Sequence, residues 1–483
     1  MSFFIRLNTI FIGLTCLSLA ACSDNATDNE AAVDTITFED CTDLVDLECG
    51  SYEVPLIHES TDGRRISIDV ARLPGIGDGP HEPLLLNFGG PGSGVEVLKE
   101  FVELNAIPAS IREHYDIIGF DQRGVSNPLR VDCDQLGNAD SSPYPQGLAE
   151  LQVLVDDAIM LADACSIEYA DQLQWVGSSS VVQDMDIMRV LLGAPKLHMV
   201  GSSFGTRITA LYLERYPETS GRIVLDAPLP PTGNLDSLWV DTAAAEQRSF
   251  ELMLNACGSS LPDCDRSSIE AAFVSRLNSL LDNADDATAE AFFQLLAIAI
   301  EESDNGELLA PLLIDFALNG DPTDMFALID QFGLNEEGEE DEESDSNGSI
   351  TLERAVLCAD DSVRPTVESL VVTRDTLNEA SDFFAEAVLP IAASCVGWPE
   401  ALDSMNDIQT SEAPAALVIG GTEDVITPIK WAVEMADAIG GVFVSSDHLG
   451  HTTVLVRNND CVDSIVRDFL IEGSLPPAGT GCD

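Results

Sequence analysis

Val200-Gly201-Ser202-Ser203-Phe204-Gly205 is the stretch whose reading decides the fold. It follows an apolar run, Lys196 to Val200, and opens a helical pattern, Gly205 to Tyr216, that closes at Pro217. A G-x-S-x-G between strand and helix predicts a nucleophile elbow. Its glycines relieve the crowding of a sharp strand-to-helix turn, lifting the middle hydroxyl above the sheet edge and aiming a helix N-terminus at it. The spacing selects Ser203, and Ser202 is an adjacent decoy.

Outward from the elbow, short apolar runs bounded by turn residues alternate with longer helical patterns. This predicts an α/β architecture with a mostly parallel central sheet and helices on both faces. The runs that read as strands are Pro83 to Phe88, Tyr115 to Phe120, Lys196 to Val200, Arg222 to Leu225, Ala415 to Ile419 and Gly441 to Val444. Tyr52 to His58 and Arg65 to Ala71 form an antiparallel lead-in pair, while Leu148 to Tyr169 and Ser180 to Leu192 read as helices. From 235 to 410 the rhythm becomes helix after helix, at Thr242 to Asn255, Ser267 to Asp282, Ala287 to Glu302 and Thr366 to Ala387. That predicts a helical cap inserted into a core of residues 38–234 and 411–483. Within the cap, Asn335 to Ser349 is acidic, rich in Gly and Ser, and holds no large apolar residue, so it reads as a surface loop; its spacing does not match an EF-hand.

A serine hydroxyl is a poor nucleophile until a base takes its proton, and the base needs a carboxylate to orient it. Around such an elbow the order along the chain is nucleophile, acid, base. Of the histidines His58, His81, His114, His198, His448 and His451, only the last two follow Ser203. His451, in Gly450-His451-Thr452 after the last predicted strand, is the base; His448 reads as shaping that loop or facing solvent. Asp424, in Gly421-Thr422-Glu423-Asp424-Val425-Ile426-Thr427-Pro428, lies at the C-terminal end of a strand, where doubly wound sheets keep their active sites. Glu423 competes with a longer, less fixed arm, and Asp424 would also cap a helix starting near Pro428. Asn87-Phe88-Gly89-Gly90-Pro91-Gly92-Ser93-Gly94 supplies an oxyanion loop, with the amides of Gly90 and Phe204 as the donors. A phosphate loop does not fit, since Pro91 removes a donor and the lysine of that motif is missing.

The chain has 483 residues, with 84 Asp plus Glu against 22 Lys plus Arg and a formal net charge of −62. The lysines are Lys99, Lys196 and Lys430 alone, which excludes a nucleic-acid binder. Hydrophobic residues make up 45%, which excludes disorder over most of the length. At the N-terminus Arg6 precedes an apolar run from Phe11 to Leu19, so residues 1–21 read as a signal peptide. Leu19-Ala20-Ala21-Cys22 looks like the lipobox of bacterial lipoproteins. A lipid on Cys22 and an acidic tether over 22–37 would hold the folded part at a membrane of the cell envelope without spanning it. Export agrees with the cysteines. Beyond Cys16 and Cys22 they fall in sequential pairs, Cys41 with Cys49, Cys133 with Cys165, Cys257 with Cys264, Cys358 with Cys395 and Cys461 with Cys482, the economical bridging in an oxidising compartment. No Cys or His cluster has zinc spacing.

The GGPG-S-G loop, Asp121-Gln122-Arg123-Gly124 after the second strand, the G-S-S-F-G elbow, Asp424 before Thr427-Pro428, and Gly450-His451 together resemble the proline iminopeptidase and tripeptidyl aminopeptidase family of α/β-hydrolases. The resemblance spans about residues 38–483 and is nearest to a secreted branch with a tripeptidyl-aminopeptidase-type C-terminal segment. It implies a serine exopeptidase acting on peptides with a free N-terminus, with no metal or cofactor. It also implies that acidic cap residues hold the substrate ammonium, with Glu301, Glu302 and Asp360 as candidates, and that Asp121 and Arg123 form a turn network behind the site. Two departures stand out: Phe88 replaces the histidine of the HGGPG form, and the segment before Ser126-Asn127-Pro128 is shortened. A carboxylesterase or lipase-like hydrolase is the alternative reading, and a non-catalytic surface scaffold the third. The charge itself suits a saline exterior, or an acidic field that draws cationic N-termini toward the cleft.

Overall fold

The computed structural model describes residues 35–482 apart from 42–45, 127, 134–140, 143, 146, 256–264, 283–285, 302, 332–349, 411–413 and 458. The signal, Cys22 and most of the tether, the Cys257–Cys264 pair, the acidic loop 335–349 and Glu302 therefore lie outside the described residues. The strands are β1 (Glu39–Asp40), β2 (Glu48–Pro55), β3 (Arg65–Leu73), β4 (Glu82–Asn87), β5 (Tyr115–Phe120), β6 (Leu197–Ser202), β7 (Ser220–Asp226), β8 (Ala416–Glu423), β9 (Val442–Leu449) and β10 (Thr480–Cys482). They form one sheet in the order β1-β2-β3-β5-β4-β6-β7-β8-β9-β10. The three pairings among β1, β2, β3 and β5 are antiparallel, and every pairing from β5 to β10 is parallel.

Alternation along the strands explains the two covered faces. Leu85, Met199, Ile223, Leu225 and Val418 point to one side, into a core with Val182, Met185, Ile208, Leu211 and Trp431 from the helices Ser178–Leu191, Phe204–Arg215 and Ile429–Ile439. Leu84, Leu86, Val200, Val224, Leu417 and Ile419 point to the other, against Val95, Leu98, Val462, Val466 and Phe469 of Gly94–Glu103 and Asp460–Glu472. Strands buried on both faces read as continuous apolar runs, which is why they were visible in the sequence. Strand order reverses at β4, which pairs β5 on one side and β6 on the other, and a crevice for ligands opens at the C-terminal ends of strands at such a switch point. The elbow follows β6 there, and the glycine loop follows β4.

The described residues between β7 and β8 form helices, several of which share a separate core of Phe250, Phe273, Phe292, Phe316 and Phe383. One expectation fails in detail. The helix expected over Thr366 to Ala387 is two, Val367–Ala380 and Ala385–Ala392. Ser381 takes an extended backbone, φ −148° and ψ 127°. Its hydroxyl accepts the N–H groups of Phe383 and Phe384 at 3.3 and 2.8 Å and donates to Gln247 Oε1 at 2.9 Å, turning both rings into the cap core. Ile350–Asp360, inside the predicted cap segment, instead packs Leu352, Val356 and Leu357 into the main core. Four of the expected disulfides are present, Cys41–Cys49, Cys133–Cys165, Cys358–Cys395 and Cys461–Cys482. Among the described residues no helix is long and apolar enough to cross a membrane.

Candidate active site

Ser203 sits at the tip of the turn between β6 and the helix Phe204–Arg215, with φ 53° and ψ −129°, a strained conformation for a residue with a Cβ. The flanking glycines are sterically required. A Cβ on Gly205 would lie 2.1 Å from Asn87 O, and one on Gly201 would lie 2.5 Å from Thr209 Oγ1. Ser203 is part-exposed, whereas Ser202 is 1% exposed with an unpartnered hydroxyl inside the protein, so the decoy stays out of the cleft.

His451 and Asp424 meet beyond the ends of β9 and β8. His451 Nδ1 lies 2.9 Å from Asp424 Oδ2 and 3.2 Å from Oδ1. Asp424 is 2% exposed and is held on its own turn, where Oδ1 accepts the N–H groups of Ile426 and Thr427 at 3.0 and 2.9 Å and Oδ2 accepts the Thr427 hydroxyl at 2.8 Å. The fixed carboxylate selects the tautomer with the proton on Nδ1, leaving the Nε2 lone pair for a hydroxyl. Glu423, the sequence competitor, remains in the β8 ladder opposite Leu449. His448 shapes the loop: Nδ1 lies 3.1 Å from Ser446 Oγ and Nε2 lies 3.4 Å from Thr453 Oγ1, and burial lowers its pKa.

The glycine loop presses directly on the elbow. Gly89 and Gly90 have φ of 101° and 93°, open to glycine and costly for other residues. A Cβ on Gly89 would lie 3.0 Å from both Phe204 N and Ser203 Cβ, so the loop and the first amide of the elbow helix share one small space. Asp121 anchors the far end of the loop, accepting from the Ser93 hydroxyl at 2.7 Å, from Val95 N–H at 3.2 Å and from the Ser126 hydroxyl; burial raises its pKa. Arg123 lies deeper, donating to both oxygens of Asp184 at 2.6 and 2.7 Å and to the carbonyls of Leu56 and Trp175 at 2.9 and 2.8 Å. Both are structural, as expected. A cavity of about 270 Å³ beside the loop is lined by Asn87, Phe88, Gly90, Gln122 and Glu353 among others.

Of the carboxylates offered for a substrate amine, Asp360 is corrected. It is fully buried, accepts from Ser178 N–H and Oγ at 2.7 and 2.6 Å, and lies 3.4 Å from Arg207 Nε. Burial raises its pKa against the pull of Arg207. Glu301 remains in the cap, where it faces Glu246, whose carboxyl burial and Glu301 push up to about 8 and whose Oε2 has no partner.

One site residue escaped the sequence reading. Asp226, the last residue of β7, is 1% exposed; its carbonyl accepts the Ser203 N–H at 3.0 Å, and its Oδ2 accepts the N–H groups of Thr453 and Val454 at 2.7 and 2.8 Å. The available signal was a lone carboxylate closing the apolar run Arg222 to Leu225, at the end of a strand where such sites gather. Among the described residues no cluster of His, Cys, Asp or Glu is arranged to hold a metal ion.

Comparison with known proteins bears on the fold and on the class of relatives. A family profile described as "alpha/beta hydrolase fold" matches residues 82–289, and one described as "TAP-like protein" matches residues 381–482. The serine protease Hip1 of Mycobacterium tuberculosis is 24% identical over 465 residues, covering 90% of this chain and 87% of that protein. Carboxylesterase B of the same species is 25% identical over 467 residues, covering 92% and 88%. The tripeptidyl aminopeptidase of Streptomyces lividans is 24% identical over 480 residues, covering 92% and 86%.

Proposed function

We propose that the chain, which has an α/β-hydrolase fold, is a serine exopeptidase releasing residues from the free N-termini of peptides through an acyl-enzyme. The observation that carries the reading is the His451–Asp424 pair, 2.9 Å apart, at the same sheet edge as a strained serine elbow. In the first half-reaction His451 Nε2 takes the Ser203 proton as Oγ bonds to the scissile carbonyl carbon. Asp424 holds the resulting imidazolium in place, and the amides of Gly90 and Phe204 receive the oxyanion. His451 then returns the proton to the leaving amine as the C–N bond breaks. In the second half-reaction a water gives a proton to His451 and bonds to the acyl carbon; His451 then returns the proton to Ser203 Oγ as the ester bond breaks and the N-terminal fragment leaves. The relatives named serine protease and tripeptidyl aminopeptidase support this class of substrate. A substrate ammonium would offset the repulsion between Glu246 and Glu301, which makes this pair a candidate for amine recognition among the described cap residues.

The test is a digest of an unbiased peptide library by wild type and by Ser203→Ala, read by mass. N-terminal fragments from the wild type alone are expected; a panel left intact by the wild type defeats the reading. The relative named carboxylesterase B supports an esterase as the second reading. Equal turnover of esters with and without a free amine would favour it. The proposal extends to location: a lipid on Cys22 would anchor the enzyme at the cell envelope, and Cys22→Ala would then move it to the soluble fraction.

A further inference from the structure

We infer that Asp226 is a positioning residue for the proposed base: its carboxylate fixes the segment that carries His451 and ties it, through one residue of β7, to the backbone of Ser203. The inference rests on the triad reading above, and the triad alone calls for no second buried carboxylate at this place.

The geometry is a bridge. On its main-chain side Asp226 accepts the Ser203 N–H at 3.0 Å and pairs in register with Ser202 on β6 and Ile419 on β8. On its side-chain side Oδ2 receives two successive amides, Thr453 and Val454, starting two residues beyond His451. Two neighbouring N–H groups converging on one oxygen make an anion-binding concavity, and bonds to an ionised acceptor are about twice as strong as neutral ones. The turn needs an external hold. Thr452, between His451 and the first clamped amide, has φ 60°, a strained value for a β-branched residue. His451 touches Asp424 through its ring, so one carboxylate orients the imidazole while the other fixes the backbone that carries it.

Such a clamp works best as an anion. The charged and titratable groups around it are Asp424 from the turn after β8, His451 from the loop, His448 from β9 and Arg457, whose Nε donates to Thr452 O at 3.0 Å. Burial and Asp424 oppose the charge of Asp226, while the two amides and His451 favour it, and the balance places its pKa at about 6. Acid would then weaken the clamp as well as protonate the base. The two losses compound.

The experiment measures kcat and KM for wild type and Asp226→Asn on one free-amine peptide from about pH 4.5 to about pH 9, with the rate of fluorophosphonate labelling of Ser203 alongside. Asparagine keeps the shape and an acceptor but not the charge. At about pH 8 the variant should lose about ten-fold in kcat with KM within about two-fold. On the acid side log(kcat/KM) of the wild type should fall with a slope above 1, and that of the variant with a slope of 1. A variant with wild-type kcat at alkaline pH, or a wild-type acid limb with a slope of 1, overturns the inference. The second readout needs only the wild type, so it decides even if the variant does not fold. Failure of the wild type to take the label or cleave any peptide would sink the triad reading; normal labelling with an unaltered variant sinks only the role of Asp226.

Discussion

Asp424 and Asp226 are two carboxylates around one histidine, one orienting the ring and the other holding the backbone that carries it. Asp424 receives N–H and O–H donors on its own turn and a ring N–H from His451. Asp424→Asn should therefore leave the fold and KM nearly intact and lower kcat by ~10³–10⁴, because the amide favours the wrong imidazole tautomer; steady-state kinetics against the same peptide checks it. Asp226 sits deeper, and burial outweighs its two amides, raising its pKa from 3.8 to about 6. Because the folded pKa exceeds the unfolded one, the stability owed to its neutral form is complete below about pH 3.8 and is lost as pH rises through about 6, a cost of about 3 kcal/mol at neutral pH. Asp226→Asn should then melt higher than wild type, by a margin that widens between about pH 4 and about pH 7 in paired thermal scans. A gain in stability with a loss of turnover is what a group kept for function produces.

Elements show which parts of the protein could be read in advance. The strands were legible because they are buried on both faces, so Leu84-Leu85-Leu86 and Ile223-Val224-Leu225 are unbroken apolar runs. Their ends were less so: β6, β7 and β8 run on into Ser202, Asp226 and Glu423, since ladder bonding is indifferent to side-chain polarity. That is how Asp226 went unread while Ser203, Asp424 and His451, marked by glycines and by chain order, did not. β10 has three residues, too few to show a period; it lies beside β9 and is tied to the helix Asp460–Glu472 through Cys461–Cys482. Asp360 was misjudged for the opposite reason, since a carboxylate in an acidic sequence gives no sign that it will meet Arg207. Both side chains of that pair are at 0% exposure, so Asp360→Ala would leave an uncompensated buried guanidinium and cost about 3–5 kcal/mol. Denaturant melts should show that loss, with kcat/KM per folded molecule near wild type. A rise in KM confined to free-amine substrates would instead restore its part in binding.

At the scale of the molecule the −62 charge is a standing repulsion. Arg123 and Arg207 are wholly interior, each against its own buried aspartate, Asp184 and Asp360, so neither arginine screens the acidic surface. Salt shortens the Debye length from about 10 Å at 0.1 M to about 3 Å at 1 M, so the melting temperature should climb over that range. A flat or falling melting curve against salt would count against a saline habitat as the reason for the composition. Connectivity adds a different consequence. Cys41–Cys49 and Cys133–Cys165 lie wholly before residue 335, Cys358–Cys395 and Cys461–Cys482 wholly after 349, so no bridge among the described residues spans the acidic stretch between them. A protease site placed within 335–349 would divide the enzyme into two chains, one bearing Ser203 and the other Asp424 and His451, joined by β7 against β8 and by Arg207 against Asp360. The halves should part on a denaturing gel without any reductant, yet be inactive apart and active together, which would make turnover a direct report of their reassembly.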